Sequence, residues 1–305
     1  MGKLILALAA AVAAHAPVAS IYSLAWTPDG KLIAAGGFRE VRLIDPATKQ
    51  TAGTLGGHAD AVRAIAISPD GKWLAAAGGL PARKGEVKIW DLAARSVVRT
   101  IAGHSDCIYG VAIAPDGKTL ATSSYDKLIK LWDVESGREV RTLKDHIDAV
   151  YALAFTPDGK RLVSGAADRT VKIWDPSTGE RLYTMSEPSD GINAIALDPT
   201  GTMVAAGGLD KTLRVWKLGE RGGELKSTLI AHEDQILALA WSPDGKRIVS
   251  AGADRVIKVL SAPDLGELNA ITGQPDWVYA VRFAPDGRSY AVGRYDGSFN
   301  VYKRD

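Results

Sequence analysis

The chain has 305 residues, 46% of them hydrophobic and 24% charged, with 37 basic against 35 acidic side chains, the composition of a soluble globular protein. A formal net charge of +2 supplies no field for nucleic acid or an anionic membrane surface, so neither is expected as a partner. A single cysteine, Cys107, excludes an internal disulfide framework and any cysteine-built zinc site.

The first element is ambiguous. Met1-Gly2-Lys3, the apolar run over residues 4–14 and the small residues around Ala14-His15-Ala16 have the layout of a secretion signal. The run is too short to span a bilayer, so no membrane segment is expected. Two uses stay open for residues 1–15. One is a signal-like leader, which implies a periplasmic or secreted protein; the other is a strand within the fold of a cytoplasmic one.

From residue 16 onward the chain repeats. Pro28, Pro69, Pro115, Pro157, Pro199, Pro243 and Pro285 each open a Pro-Asp-Gly turn, with Pro199-Thr200-Gly201 a near copy, and they lie 41 to 46 residues apart. Proline presets one turn dihedral, and Asp and Gly accept the others. Ahead of each turn, bulky and small residues alternate, as Leu153 and Phe155 alternate with Ala152 and Ala154. A period of two marks a strand with one bulky face and one alanine-rich face, which can seat against the next sheet. After the turn come a second strand such as 161–165, a third such as 170–174 and a weaker fourth such as 180–184. Each unit therefore reads as four antiparallel strands with two faces to bury, and the seven units form one all-β domain over residues 1–305.

Histidines invite a catalytic reading, which their spacing opposes. His104, Thr122, Asp126 and Trp132 are separated by 18, 4 and 6 residues, and His146, Ser164, Asp168 and Trp174 repeat those separations. A set that recurs with the structural unit is a building element, and a hydroxyl within a strand is not a nucleophile on a strained turn. His58 and His232 recur at the same place in other units, so no metal cluster is expected. Nor does the chain carry a phosphate loop, a dinucleotide fingerprint or a paired-carboxylate motif. Asp60, Asp106, Asp148, Asp190, Asp234 and Asp276 all stand nine before a turn proline. They are read as turn residues accepting local backbone N–H groups rather than as a cation ring. No catalysis, cofactor or metal is expected.

Gly57-His58, Gly103-His104, Asp145-His146 and Ala231-His232 lie near the start of their units. Trp90-Asp91, Trp132-Asp133 and Trp174-Asp175 lie near the end, with Trp216-Lys217 a partial match. In these pairs the chain is similar to the WD-repeat family. The resemblance implies a seven-bladed β-propeller with four antiparallel strands per blade and, in blades 3 and 4, a hydrogen-bonded chain running from Trp through the hydroxyl to His and Asp. Blade 6 has Leu260 in place of the Trp, and blade 5 keeps only Asp210 and Trp216. Blade 7 reaches the end of the sequence after its third strand, so its outer strand is expected from residues 3–8, beside residues 298–303. That pairing would close the ring.

Six before each proline stand Tyr22, Arg63, Tyr109, Tyr151, Asn193, Leu237 and Tyr279. The resemblance implies that this position points to the channel mouth, on the face to which Tyr125, Trp277 and Tyr295 also belong. Tyr, Trp and Arg are the residue types enriched in binding hot spots. Tyr22, Arg63, Tyr109, Tyr125, Tyr151, Trp277, Tyr279 and Tyr295 are therefore the candidate partner-binding set, densest at the seam of blades 7 and 1. Phe38 and Arg39 are expected beside that seam, and Arg83 and Lys84 at the rim of blade 2. The competing use of such aromatics is to fill the channel. The reading is a monomeric, non-catalytic interaction scaffold for a protein or peptide. Alternatives are a small-molecule-binding or accessory domain of a larger enzyme, which a deep pocket of convergent polar groups would favour, and an engineered propeller without a natural partner.

Overall fold

Blade 4 shows how the repeat folds in the computed structural model, which describes residues 20–304. Its strands Val150–Phe155, Leu162–Ala166, Val171–Trp174 and Arg181–Met185 pair antiparallel in chain order. The proline turn is stapled from within: Thr156 donates its hydroxyl to Asp158 at 2.6 Å, and Asp158 accepts the Lys160 N–H at 3.0 Å. Gly159 closes the turn at φ 69°, a conformation in which any Cβ would be strained.

Blades 3, 5 and 6 repeat this four-stranded sheet. Blades 1 and 2 are continuous. The 17-residue strand Thr51–Ile67 pairs first with Phe38–Ile44 as the outer strand of blade 1 and then with Trp73–Leu80 as the inner strand of blade 2. Blade 7 has three strands among the described residues, Val278–Phe283, Ser289–Arg294 and Phe299–Lys303. The closing strand expected at residues 3–8 lies outside the described residues. No helix occurs among them, and so none long and apolar enough to cross a membrane.

The inner strands of successive blades touch in sequence around an axis, and Val278–Phe283 of blade 7 meets Ser23–Trp26 of blade 1. At that seam the Ile21 N–H donates to the Arg294 carbonyl at 2.9 Å, over a core of Ile21, Leu24, Ile33 and Ala35 against Ala280 and Ala291. On the turn face Pro285 of blade 7 lies against Gly30 of blade 1, as Pro28 lies against Gly71 and Pro243 against Gly287. The alternation read from the sequence is what makes the ring: between blades 4 and 5, for example, Val171 and Ile173 meet Ile192, Val204 and Ala206 in one buried cluster. Each fully buried Val, Leu or Ile contributes roughly 1.5–3 kcal/mol.

Candidate functional site

Repeating polar chains run inside the blades. In blade 3, Thr122 Oγ1 accepts from Trp132 Nε1 at 2.8 Å and lies 2.8 Å from His104 Nε2, while His104 Nδ1 lies 2.9 Å from Asp126. Blade 4 repeats this with Trp174 Nε1 to Ser164 Oγ at 2.8 Å, and with His146 2.7 Å from both Ser164 and Asp168. Burial works to raise the Asp168 carboxyl, but bonds from His146 and Thr170 outweigh it and hold the group at about 2. Both central hydroxyls are buried, where they serve packing and polar satisfaction. In blade 6, His232 keeps Ser250 and Asp254, each at 2.9 Å, and Leu260 fills the Trp position with apolar volume.

The remaining blades substitute other chemistry at the same places. In blade 5, where Pro188 replaces the histidine, Arg214 bonds Asp210 at 2.7 Å in a largely buried pair. In blade 7, Gln274 replaces the histidine and Tyr302 the tryptophan. Fully buried Arg294 donates to Gln274 Oε1 from Nε at 3.0 Å, to Ser298 Oγ at 3.2 Å and to the Tyr302 hydroxyl at 2.9 Å. Sequence reading missed both substitutes, although Arg294 is visible as a long cation where the other blades carry Gly, Ala or Ser, and Pro188 marks the blade in which Asp210 needs another partner. In blade 2, burial and the charge of Lys88 push His58 down to about 4.

The loop aspartates accept backbone N–H groups, all of them locally and Asp106 also from Ala82 of the neighbouring blade. Asp60, Asp106, Asp148, Asp190, Asp234 and Asp276 each accept the N–H of the next residue at 2.7 to 2.8 Å. Among the described residues, no group of three His, Cys, Asp or Glu side chains converges in a way that could hold a metal ion. Cys107 is buried, with Sγ 3.1 Å from the Gly79 carbonyl, and burial pushes its thiol up.

At the channel mouth the side chains predicted from the repeat position meet as one arc. Trp277, Tyr279 and Tyr295 form a triangle with ring centroids 6.3, 6.0 and 5.8 Å apart, and Tyr279 continues to Tyr22 at 5.7 Å. The Arg63 guanidinium then bridges two rings, 5.6 Å from Tyr22 and 4.8 Å from Tyr109. Tyr109 reaches Tyr151 at 5.1 Å and Tyr125 at 6.3 Å. All eight candidate residues are thus linked across blades 7, 1, 2, 3 and 4. Tyr125, Trp277 and Tyr295 remain 50%, 41% and 46% exposed. A cavity of about 390 Å³ is bordered by the inner strands of all seven blades, with Tyr22, Arg63, Tyr109, Tyr151 and Tyr279 of the arc in its lining.

Two rim elements lie away from this arc. Phe38 and Arg39, expected beside the 7–1 seam, turn toward blade 2: Arg39 lies 6.0 Å from the Phe38 ring and donates to the His58 carbonyl at 3.4 Å. Arg83 and Lys84 are exposed on the tip of a lengthened hairpin, held to blade 3 where the Ala82 N–H donates to Asp106 at 2.9 Å. The far side of the mouth is amide and aliphatic, with Asn193 Nδ2 donating to the Ile236 carbonyl at 3.0 Å and to Gln235 Oε1 at 3.2 Å.

The family described as WD domain, G-beta repeat matches the chain seven times, at residues 9–39, 49–91, 95–133, 137–175, 179–217, 223–261 and 266–303. No curated protein matches it.

Proposed function

The chain belongs to the WD-repeat family, whose repeats typically bind protein partners, and from that premise we propose that it is a non-catalytic scaffold whose partner docks on the aromatic mouth of the channel. The observation that carries this reading is the continuous Trp, Tyr and Arg arc from Tyr295 to Tyr151, with three of its rings left substantially exposed. Rigid aromatics and arginine supply contact area at small entropic cost, which is why they dominate interface hot spots. A channel rim can hold an extended peptide or a protruding loop. The test uses the intact protein to recover a partner and then measures the purified partner against a Tyr22→Ala, Tyr279→Ala double variant. Unchanged affinity would move the contact elsewhere.

We also propose that the N-terminus closes the ring. Each matched segment from the third onward begins with the outer strand of one blade and continues with the three inner strands of the next, as 95–133 begins with Ser96–His104. The first match, 9–39, starts ahead of the inner strands of blade 1, which favours an outer strand of blade 7 supplied by the N-terminal segment. Support also comes from Phe299–Lys303, which pairs along one side only among the described residues.

A further inference from the structure

The channel below the aromatic rim has a lining of unusual charge. Arg63 and Arg282 both border it, together with Tyr22, Tyr109, Tyr151 and Tyr279, and no Asp or Glu does so among the described residues. Arg282 breaks a pattern. Three before the turn proline, all six other blades carry alanine, from Ala25 in blade 1 to Ala240 in blade 6, and only blade 7 places a long cation there. Its side chain keeps solvent-accessible surface and borders the channel, and desolvation there lowers its pKa. Its recorded bonds both use Nη1, to the Val281 carbonyl at 2.9 Å and the Leu239 carbonyl at 3.4 Å.

Arg63 is equally short of partners. Its Nε is buried without a hydrogen-bond acceptor, while its guanidinium lies against the faces of Tyr22 and Tyr109 and beside the Cys107 thiol. Asp60 and Asp106, on the neighbouring loops, are engaged with the N–H groups of Ala61 and Cys107. Neither arginine forms an ion pair with a carboxylate among the described residues. Both cations border the same cavity, and desolvation of a guanidinium there, as at Arg282, is a cost that a bound anion offsets. Burial raises the hydroxyls of Tyr109, Tyr151 and Tyr279, so around neutral pH they stay protonated and able to donate.

We propose that this channel is an oxyanion site, in which a carboxylate or phosphate group is held by Arg63 and Arg282 with tyrosine hydroxyls as further donors. The anion comes either from a free small molecule or from an acidic side chain of a docked protein. The site shares Arg63 and its tyrosines with the proposed docking arc, whereas Arg282 stands outside that arc, so the Arg282 variant tests the anion site apart from rim docking.

Calorimetric titration at constant ionic strength tests it, with inorganic phosphate, succinate and an acetylated, amidated Gly-Glu-Gly peptide as probes and sodium chloride as blank. Arg282→Ala installs the residue found in six blades, so the fold should persist; Arg63→Gln is the second variant, and a thermal midpoint checks both. Saturable binding of at least one probe to the intact protein, weakened at least about tenfold in each variant as loss of a charged hydrogen-bond donor requires, supports the site. Binding of phosphate or succinate without the peptide identifies a free anion, and binding of the peptide as tightly as succinate identifies a protein side chain. Absence of saturable binding by all three probes up to roughly 10 mM, or affinity unchanged in both variants, overturns it.

Discussion

In blade 2, His58 and Trp90 each hold a buried ring nitrogen without a hydrogen-bond partner, Nε2 on the first and Nε1 on the second. Ala76 explains both. It pairs with Lys88 in the sheet as Thr122 pairs with Lys130 in blade 3, where the threonine hydroxyl joins the histidine to the tryptophan. Ala76→Ser should therefore supply one hydroxyl to two orphaned groups and stabilise the protein by about 1–2 kcal/mol. Ala75→Ser, on the opposite face among apolar neighbours, should destabilise it by about 1–3 kcal/mol. Urea midpoints of the two variants check the pair; a loss of stability with Ala76→Ser would show that blade 2 cannot take the bridge.

The same histidine sets an acid limb. His58 is held near 4, below its ordinary 6.5, and His232 is shifted the same way by burial. The unfolded chain binds these protons first, so stability is complete above pH 6.5 and falls as pH drops from 6.5 toward 4. Asp168 works in a lower window: held at about 2, it contributes stability present above pH 3.8 and lost as pH falls toward 2. Between pH 7 and 5, His58 alone should account for about 2 kcal/mol of lost stability. His58→Gln should flatten that part of the profile in urea unfolding at the two pH values, and an unchanged slope would mean that His58 is not buried neutral.

The architecture was readable from the sequence for a physical reason. Seven prolines at near-constant spacing mark turns whose geometry depends on the triplet itself, and Ala152 and Ala154 opposite Leu153 and Phe155 announce the two faces of a strand. Tyr22, Arg63, Tyr109, Tyr151 and Tyr279 could be grouped in advance because they share one repeat position, and Tyr125 and Tyr295 because each precedes its loop aspartate. What escaped was the partner found where one blade departs from the others: Arg214 on Asp210 once Pro188 replaces the histidine, the Arg294–Gln274–Tyr302 network, and Arg282 in the channel. Repetition fixes backbone placement but does not say which partner a substituted side chain finds.

Closure by an N-terminal strand is tested by truncation. If that strand lies beside Phe299–Lys303, deleting residues 2–12 uncovers the edge of Phe299–Lys303 and the apolar surface beside it, including Tyr302, and should lower the thermal midpoint by several degrees. Differential scanning calorimetry decides: equal midpoints for the full chain and the deletion would exclude the N-terminal closing strand.

The rim of blade 7 is where binding and stability should come apart. Trp277 and Tyr295 are linked to each other by their rings, at 6.0 Å, and by the Tyr295 N–H donating to the Trp277 carbonyl at 3.0 Å. Alanine keeps the backbone bond and removes only rings that are already nearly half exposed, so Trp277→Ala and Tyr295→Ala should change stability by less than about 1 kcal/mol. At the centre of an interface, loss of such an anchor commonly costs about 2 kcal/mol or more, which is a weakening of at least about thirtyfold. Arg83→Glu, on the exposed hairpin at the rim, should act mainly on association rate and its salt dependence. Lys118→Ala and Lys160→Ala, beside the proline turns, serve as controls on the opposite face. Surface plasmon resonance with a purified partner, chosen without reference to the face, reads both rates. Binding that survives Trp277→Ala and Tyr295→Ala but fails in the turn-face controls would assign docking to the proline-turn side.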